Sequence, residues 1–233
     1  MSAEFDREQW HPAAIQGRSV TLRRHRQENL PAVVRWYHDP ELARLTRYQT
    51  RPMSSDEVAQ FFRTRLIAPE AMAYAIHERP EDRLIGLTTF SALDPDNGSA
   101  LFHITIGERD AWGRGMGTEA TELMLDHAFR RLGLHRVGLS VFAFNERAIR
   151  SYRRAGFVIE GRAREAIRRD GRWWDEVEMS ILDSDWRAQL AAASAAARAG
   201  AGGAGAAAPD EEAPLTDPAT GRPADTPSIE RIH

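Results

Sequence analysis

The spacing of apolar residues changes along the chain between a period of two and a period near 3.6. Val20 and Leu22 alternate with polar neighbours over residues 18–25, which predicts a strand. Leu30, Val33, Val34 and Tyr37 then recur at helical spacing over 27–38, until Asp39-Pro40 breaks the pattern before a short helix at 41–45. Ser54, Ser55, Asp56 and Glu57 supply capping residues for a helix to Leu66, with Val58, Phe61 and Phe62 apolar. Residues 72–77 and 84–92 alternate as adjacent strands, Asp94 to Gly98 form a turn, and a strand at 100–106 leads into a glycine-rich segment. A helix starting near Thr118 ends at Gly133, in a favoured position beyond a helix C-terminus.

The second half repeats the alternation. Residues 136–144, RVGLSVFAF, are almost continuously apolar and predict a strand buried on both faces. A helix opens at Asn145 and stops at Gly156; strands at 157–167 and 173–182 are joined around Asp170-Gly171. Residues 185–198 extend the pattern as a helix. From Ala199 the chain is Gly/Ala-rich and then Pro/acid-rich, with too little apolar bulk to offset the entropy of ordering. The expectation is an N-terminal extension at 1–16, one domain at 17–190, and a mostly disordered tail at 191–233. Strands, hairpins and helices in this order predict a mixed sheet with helices on both faces.

The richest local signal is the glycine segment. Gly113, Gly115 and Gly117 alternate immediately before Thr118, Glu119 and Ala120. Glycine lets the backbone bend sharply, and the first N–H groups of the following helix have no intrahelical partner. Together with the helix dipole they form an anion site, which phosphate commonly fills. A Walker loop is excluded because the chain contains no lysine. Gly115, Gly117 and Ala120 match G-x-G-x-x-A, but the turn does not follow its strand directly and no acid stands on the next strand, so a dinucleotide fold is rejected.

Composition narrows the field. The net charge of −3 divides into about −4 after Ala199 and about +1 before it, which gives no support for nucleic-acid binding. With no cysteine, disulfides, cysteine-zinc sites and thiol nucleophiles are out. The eight histidines show no H-E-x-x-H spacing, so no metal is expected. The polar, acidic start does not read as a signal peptide and no apolar run is long enough for a membrane span; a cytoplasmic protein is expected.

The run W-G-R-G-M-G-T-E-A at 112–120 resembles the acetyl-CoA pyrophosphate loop of the GNAT superfamily of N-acetyltransferases, whose motif is Gln/Arg-x-x-Gly-x-Gly/Ala. Trp112 takes the first position, Gly115 the fourth and Gly117 the sixth. Tryptophan there is usual in the branch resembling ribosomal-protein-alanine and spermidine N-acetyltransferases. The resemblance covers roughly residues 17–186. It implies a GNAT-type α+β fold with a central, mostly antiparallel mixed sheet of about seven strands, flanked by helices. It also implies that the strand at 100–106 and the strand at 136–144 diverge around the pantetheine arm of acetyl-CoA.

The resemblance assigns roles residue by residue. Trp112, Gly113, Arg114, Gly115, Met116, Gly117 and Thr118 would hold the pyrophosphate; Ile104, Thr105 and Ile106 would hold the acetyl group and the arm, with a backbone N–H there polarising the thioester. Asn145 and Tyr152, seven apart, share one helix face. Read alone, Asn145 is a helix cap and Tyr152 a packing residue. In F-N-E-R-A-I-R-S-Y-R-R-A-G-F, which resembles the family motif, Asn145 contacts pantetheine and Tyr152 is the acid that protonates the leaving thiolate. Relatives often carry an acid around position 101, where this chain has Leu101. His103 and Glu108 are therefore the candidate bases.

The absence of cysteine fits direct attack by an amine. Deprotonating an amine of pKa ~10.4 at pH 7 costs about 4.6 kcal/mol, against about 1.4 kcal/mol for an α-amine near 8. A weak base therefore favours a protein or peptide N-terminus. A polyamine or aminoglycoside-like amine is the alternative acceptor, and a non-catalytic acyl-CoA-binding module the alternative class. The early helices and the hairpin around 170–174 are expected to line the acceptor site through Glu41, Tyr48, Trp173 and Trp174. Adjacent on a strand, Trp173 and Trp174 face opposite sides, one walling the groove and the other packing in the core or at a homodimer contact.

Overall fold

The computed structural model describes residues 11–49 and 51–200. Eight strands form one sheet: β1 (Ala14–Gln16), β2 (Val20–Arg24), β3 (Ala73–Glu78), β4 (Arg83–Asp94), β5 (Ser99–Ile106), β6 (Arg136–Phe142), β7 (Val158–Arg169) and β8 (Arg172–Leu182). Their order is β1-β2-β3-β4-β5-β6-β8-β7, and every neighbouring pair is antiparallel except β5 and β6. The expected mixed, mostly antiparallel sheet is present with one strand more than the pattern showed. That strand, β1, lies within the stretch expected as an extension and pairs with β2.

The α-helices are α1 (Leu30–His38), α2 (Pro40–Thr46), α3 (Ser55–Phe61), α4 (Met116–Asp126), α5 (Glu146–Arg154) and α6 (Asp183–Gly200). Local chemistry explains their starts. Asp39, which ends α1, turns its carboxylate onto the N–H groups of Glu41 and Leu42 and so begins α2. Ser54 and Glu57 form a reciprocal capping box at α3. The chain divides into two units, Met1–Ala192 and Ala193–His233. Apart from the end of α6, the expected tail lies outside the described residues.

The first unit has two apolar clusters. Ala73 and Tyr74, neighbours on β3, belong to different ones, so the clusters occupy opposite faces of the sheet. One face carries α4 and α5 over Phe102, Leu139, Val141, Met179 and Ile181. The other carries α1, α2 and α3 around Val33, Trp36, Leu42, Val58 and Phe62.

The single parallel pair positions the site. β5 and β6 are joined only at Ser99–Leu101 against Arg136–Gly138. Past Leu101 the β6-facing edge of β5 has no ladder partner, and the sheet opens. Beyond β6 the ladder resumes, with Phe142 opposite Glu176 of β8.

Candidate active site

The opening between β5 and β6 is a cleft of about 740 Å³. Its first wall is the glycine turn. Trp112 anchors this turn by donating its indole N–H to the Ile106 carbonyl at 2.8 Å. Gly115 then takes φ +80°, a left-handed conformation that only glycine adopts at no steric cost, and α4 begins at Met116. The first intrahelical bond of that turn runs from the Glu119 N–H to the Gly115 carbonyl. The N–H groups of Met116, Gly117 and Thr118 precede it and are the unfilled donors of a helix start. Thr118 is fixed to α5 by a 2.8 Å bond between its hydroxyl and that of Ser151.

A second wall is α5, whose Arg147, Arg150 and Arg154 line the cleft. Their spacing of three and four residues puts them on one helix face. Arg147 stacks on Trp112 with its guanidinium carbon 3.8 Å from the ring centroid. Asn145 caps α5, accepting from the Ala148 N–H and donating to the Leu45 carbonyl, both at 3.3 Å. It thereby ties α5 to α2. Tyr152, two turns on, packs against Phe102 and Phe157 with ring centroids 6.4 and 5.8 Å away. Burial pushes its phenol up to about 12, so it stays protonated through neutral pH.

On β5 the alternation splits the residues between faces. Phe102, Ile104 and Ile106 pack with the α4/α5 face, which puts Leu101, His103 and Thr105 on the other. His103 opens onto the cleft, and its Nε2 lies 2.6 Å from the Ser91 hydroxyl. Partial desolvation lowers its pKa below the ordinary value, which favours the neutral ring at pH 7. Leu101 is half exposed in the cleft, so no acid stands there.

Several expected residues lie elsewhere. Glu108 is drawn out of the cleft: its Oε1 accepts from the Trp36 indole at 2.9 Å and from Arg35 at 3.1 Å. The Arg114 side chain turns away from the cleft to pair with Glu78 at 2.7 Å, and Met116 is buried in the core. Glu41 pairs with Arg109 at 2.5 Å beside a shallow depression next to the cleft. Trp173 is solvent-exposed and stacks with Arg168, while Trp174 packs on Phe144, so they do take opposite faces but neither lines the cleft. Tyr48 does line it.

Sequence reasoning missed the three cleft arginines of α5, and it also missed Glu176. Glu176 is the one carboxylate lining the cleft among the described residues, and the Tyr48 hydroxyl donates to its Oε1. Period-two alternation in 173–182 marks it as facing away from Val177, but not toward what.

An anion cradle, three arginines on one helix face and a slot through a split sheet together describe a protein that receives a long ligand carrying phosphates. The residues fit coenzyme A in each part: helix-start donors and guanidinium groups for phosphates, and an unpaired strand edge for the arm. The family model described as "Acetyltransferase (GNAT) domain" matches residues 19–158. This chain belongs to that family and is an acetyl-CoA-dependent N-acetyltransferase.

Among its relatives, N-acetyltransferase p20 of Bacillus licheniformis is 26% identical over 172 residues, covering 72% of this chain and 94% of that one. Spermidine N(1)-acetyltransferase of Vibrio cholerae is 31% identical over 131 residues, 56% of this chain and 75% of that one. The crystal structure of the Vibrio cholerae spermidine N-acetyltransferase in complex with CoA and spermine superposes with a TM-score of 0.65 at 26% identity. It covers 72% of this chain and 98% of that one. Among the described residues, no helix is long and apolar enough to cross a membrane.

Proposed function

We propose that this enzyme moves the acetyl group directly to a primary amine of low pKa, a protein or peptide α-amine before others. The observation that carries the reading is the placement of two groups at the opened edge of β5: the Tyr152 phenol on one sheet face and the His103 imidazole on the other, both lining the cleft.

Acetyl-CoA supplies an activated thioester. The glycine turn, Thr118 and the three arginines bind its phosphates, and Asn145 and the free edge of β5 orient its arm. An N–H on that edge polarises the thioester carbonyl. His103 takes the first proton from the incoming ammonium. The amine nitrogen then bonds to the acetyl carbon as the carbon–sulfur bond breaks. Tyr152 gives its proton to the departing sulfur and is restored by the second proton shed from nitrogen. Of the two bases expected from the sequence, His103 is the one whose side chain reaches the cleft. Its lowered pKa makes it a weak base, which suits an amine near pKa ~8 better than one near 10.4.

A polyamine acceptor is the second reading, favoured by the likeness to spermidine N(1)-acetyltransferases. Thiol release from acetyl-CoA across alanyl and seryl peptides, spermidine and aminoglycosides separates the two. Highest kcat/KM with a peptide supports the first; robust turnover of spermidine well above the peptides reverses the order.

A further inference from the structure

Arginine is plentiful in this chain, and many of its carboxylates are committed to one. Glu78, Asp82, Glu108, Asp110, Glu160 and Asp170 all sit in ion pairs. Glu176 does not: its partner is the neutral Tyr48 hydroxyl, and it lines the cleft.

Its surroundings are built and held. Phe142 lies opposite Glu176 in the β6–β8 register and packs edge-on against Tyr48, with centroids 5.4 Å apart. Arg169 of β7 is buried; it donates to the Arg47 carbonyl and, at 2.8 Å, to the Tyr48 carbonyl, while its guanidinium lies over Phe142. Arg44 of α2 pairs with Asp170 at 2.8 Å. These contacts pin the segment carrying Tyr48 to the β7–β8 hairpin. A fixed tyrosine therefore presents an unneutralised carboxylate beside an aromatic wall, an arrangement suited to an organic cation.

The alternation on β5, β6 and β8 puts Glu176 on the same sheet face as His103, opposite the face that packs Tyr152. The nitrogen that attacks must be neutral and cannot remain an ammonium held by a carboxylate. We infer that Glu176, oriented by Tyr48, determines acceptor specificity by receiving a second positive charge, carried by the acceptor in addition to the amine that is acetylated. This rests on the direct-transfer reading above and deepens it. A peptide with a basic residue after its N-terminus and a short diamine both meet the requirement.

The test uses matched acceptors that differ in the second charge: alanyl-lysine against alanyl-norleucine peptides, and cadaverine against pentylamine. Thiol release gives kcat/KM for each. The wild type is expected to favour the doubly charged member of each pair by about tenfold or more. In Glu176→Gln that ratio falls toward one, Glu176→Asp retains part of it, and Tyr48→Phe lowers it by a smaller factor. A wild-type ratio near one overturns the inference. So does a Glu176→Gln enzyme that loses activity equally on both members, or keeps the wild-type ratio. Thiol release from no amine at all by the wild type overturns the direct-transfer reading, and this inference with it.

Discussion

Gly107 closes β5, and replacing it with alanine tests how the exit of that strand is built. A Cβ added there would lie 2.1 Å from Cδ2 and 2.2 Å from Cε2 of Trp36. Carbon atoms rest about 3.5–4.0 Å apart, so the ring would have to retreat by well over ~1 Å. Trp36 is buried, only 4% exposed, and its indole N–H donates to Glu108 at 2.9 Å. Overpacking of this kind costs about 1–3 kcal/mol, and loss of a hydrogen bond to a charged carboxylate about 1.5–3 kcal/mol. Together they predict that Gly107→Ala loses about 3–5 kcal/mol in urea denaturation. The KM for acetyl-CoA should rise as well, because Trp112 anchors the glycine turn on the Ile106 carbonyl next door. Gly115→Ala is the control. It has φ +80° and nothing within 4 Å of the added carbon, so its cost is backbone strain alone, about 1–2 kcal/mol. A Gly107→Ala protein within ~1 kcal/mol of wild type would refute the packing argument.

Two further outcomes are expected. His25 is buried against Phe62, and burial lowers its pKa from 6.5 to about 4. The unfolded chain therefore binds the proton more tightly. The stability that the neutral ring contributes is full above pH ~6.5 and is lost as pH falls toward ~4, by about 3 kcal/mol; His25→Gln should flatten that slope in urea titrations at pH 7 and pH 4. Arg150→Gln should raise the KM for acetyl-CoA about fivefold, or ~1 kcal/mol, and more so at low salt, with kcat little changed in steady-state assays.

Apolar patterning made nearly the whole sheet legible, as alternation in β5 and as a nearly continuous buried run in β6. The exception, β1, is three residues long with one half-buried side chain, too few positions to display a period. The glycine turn was legible because its constraint is local: backbone conformation and the start of α4 follow from neighbouring residues. The side chains around it were not. Arg114 stands within the motif but finds its carboxylate at Glu78, and Glu108 follows β5 but is claimed by Trp36 and Arg35. Such pairings depend on which strands adjoin, and spacing along the chain does not encode that. Glu176 was hidden for the same reason: its partner Tyr48 lies 128 residues away, and only the β6–β8 register puts it beside Phe142.

The central claim is direct acetyl transfer with Tyr152 as the acid, and thiol release from acetyl-CoA by wild type and Tyr152→Phe tests it most directly. Turnover with a primary amine is expected in the wild type, and a fall in kcat of about 10²–10⁴-fold in the variant, with acetyl-CoA still bound. A Tyr152→Phe enzyme that turns over at the wild-type rate would contradict the claim.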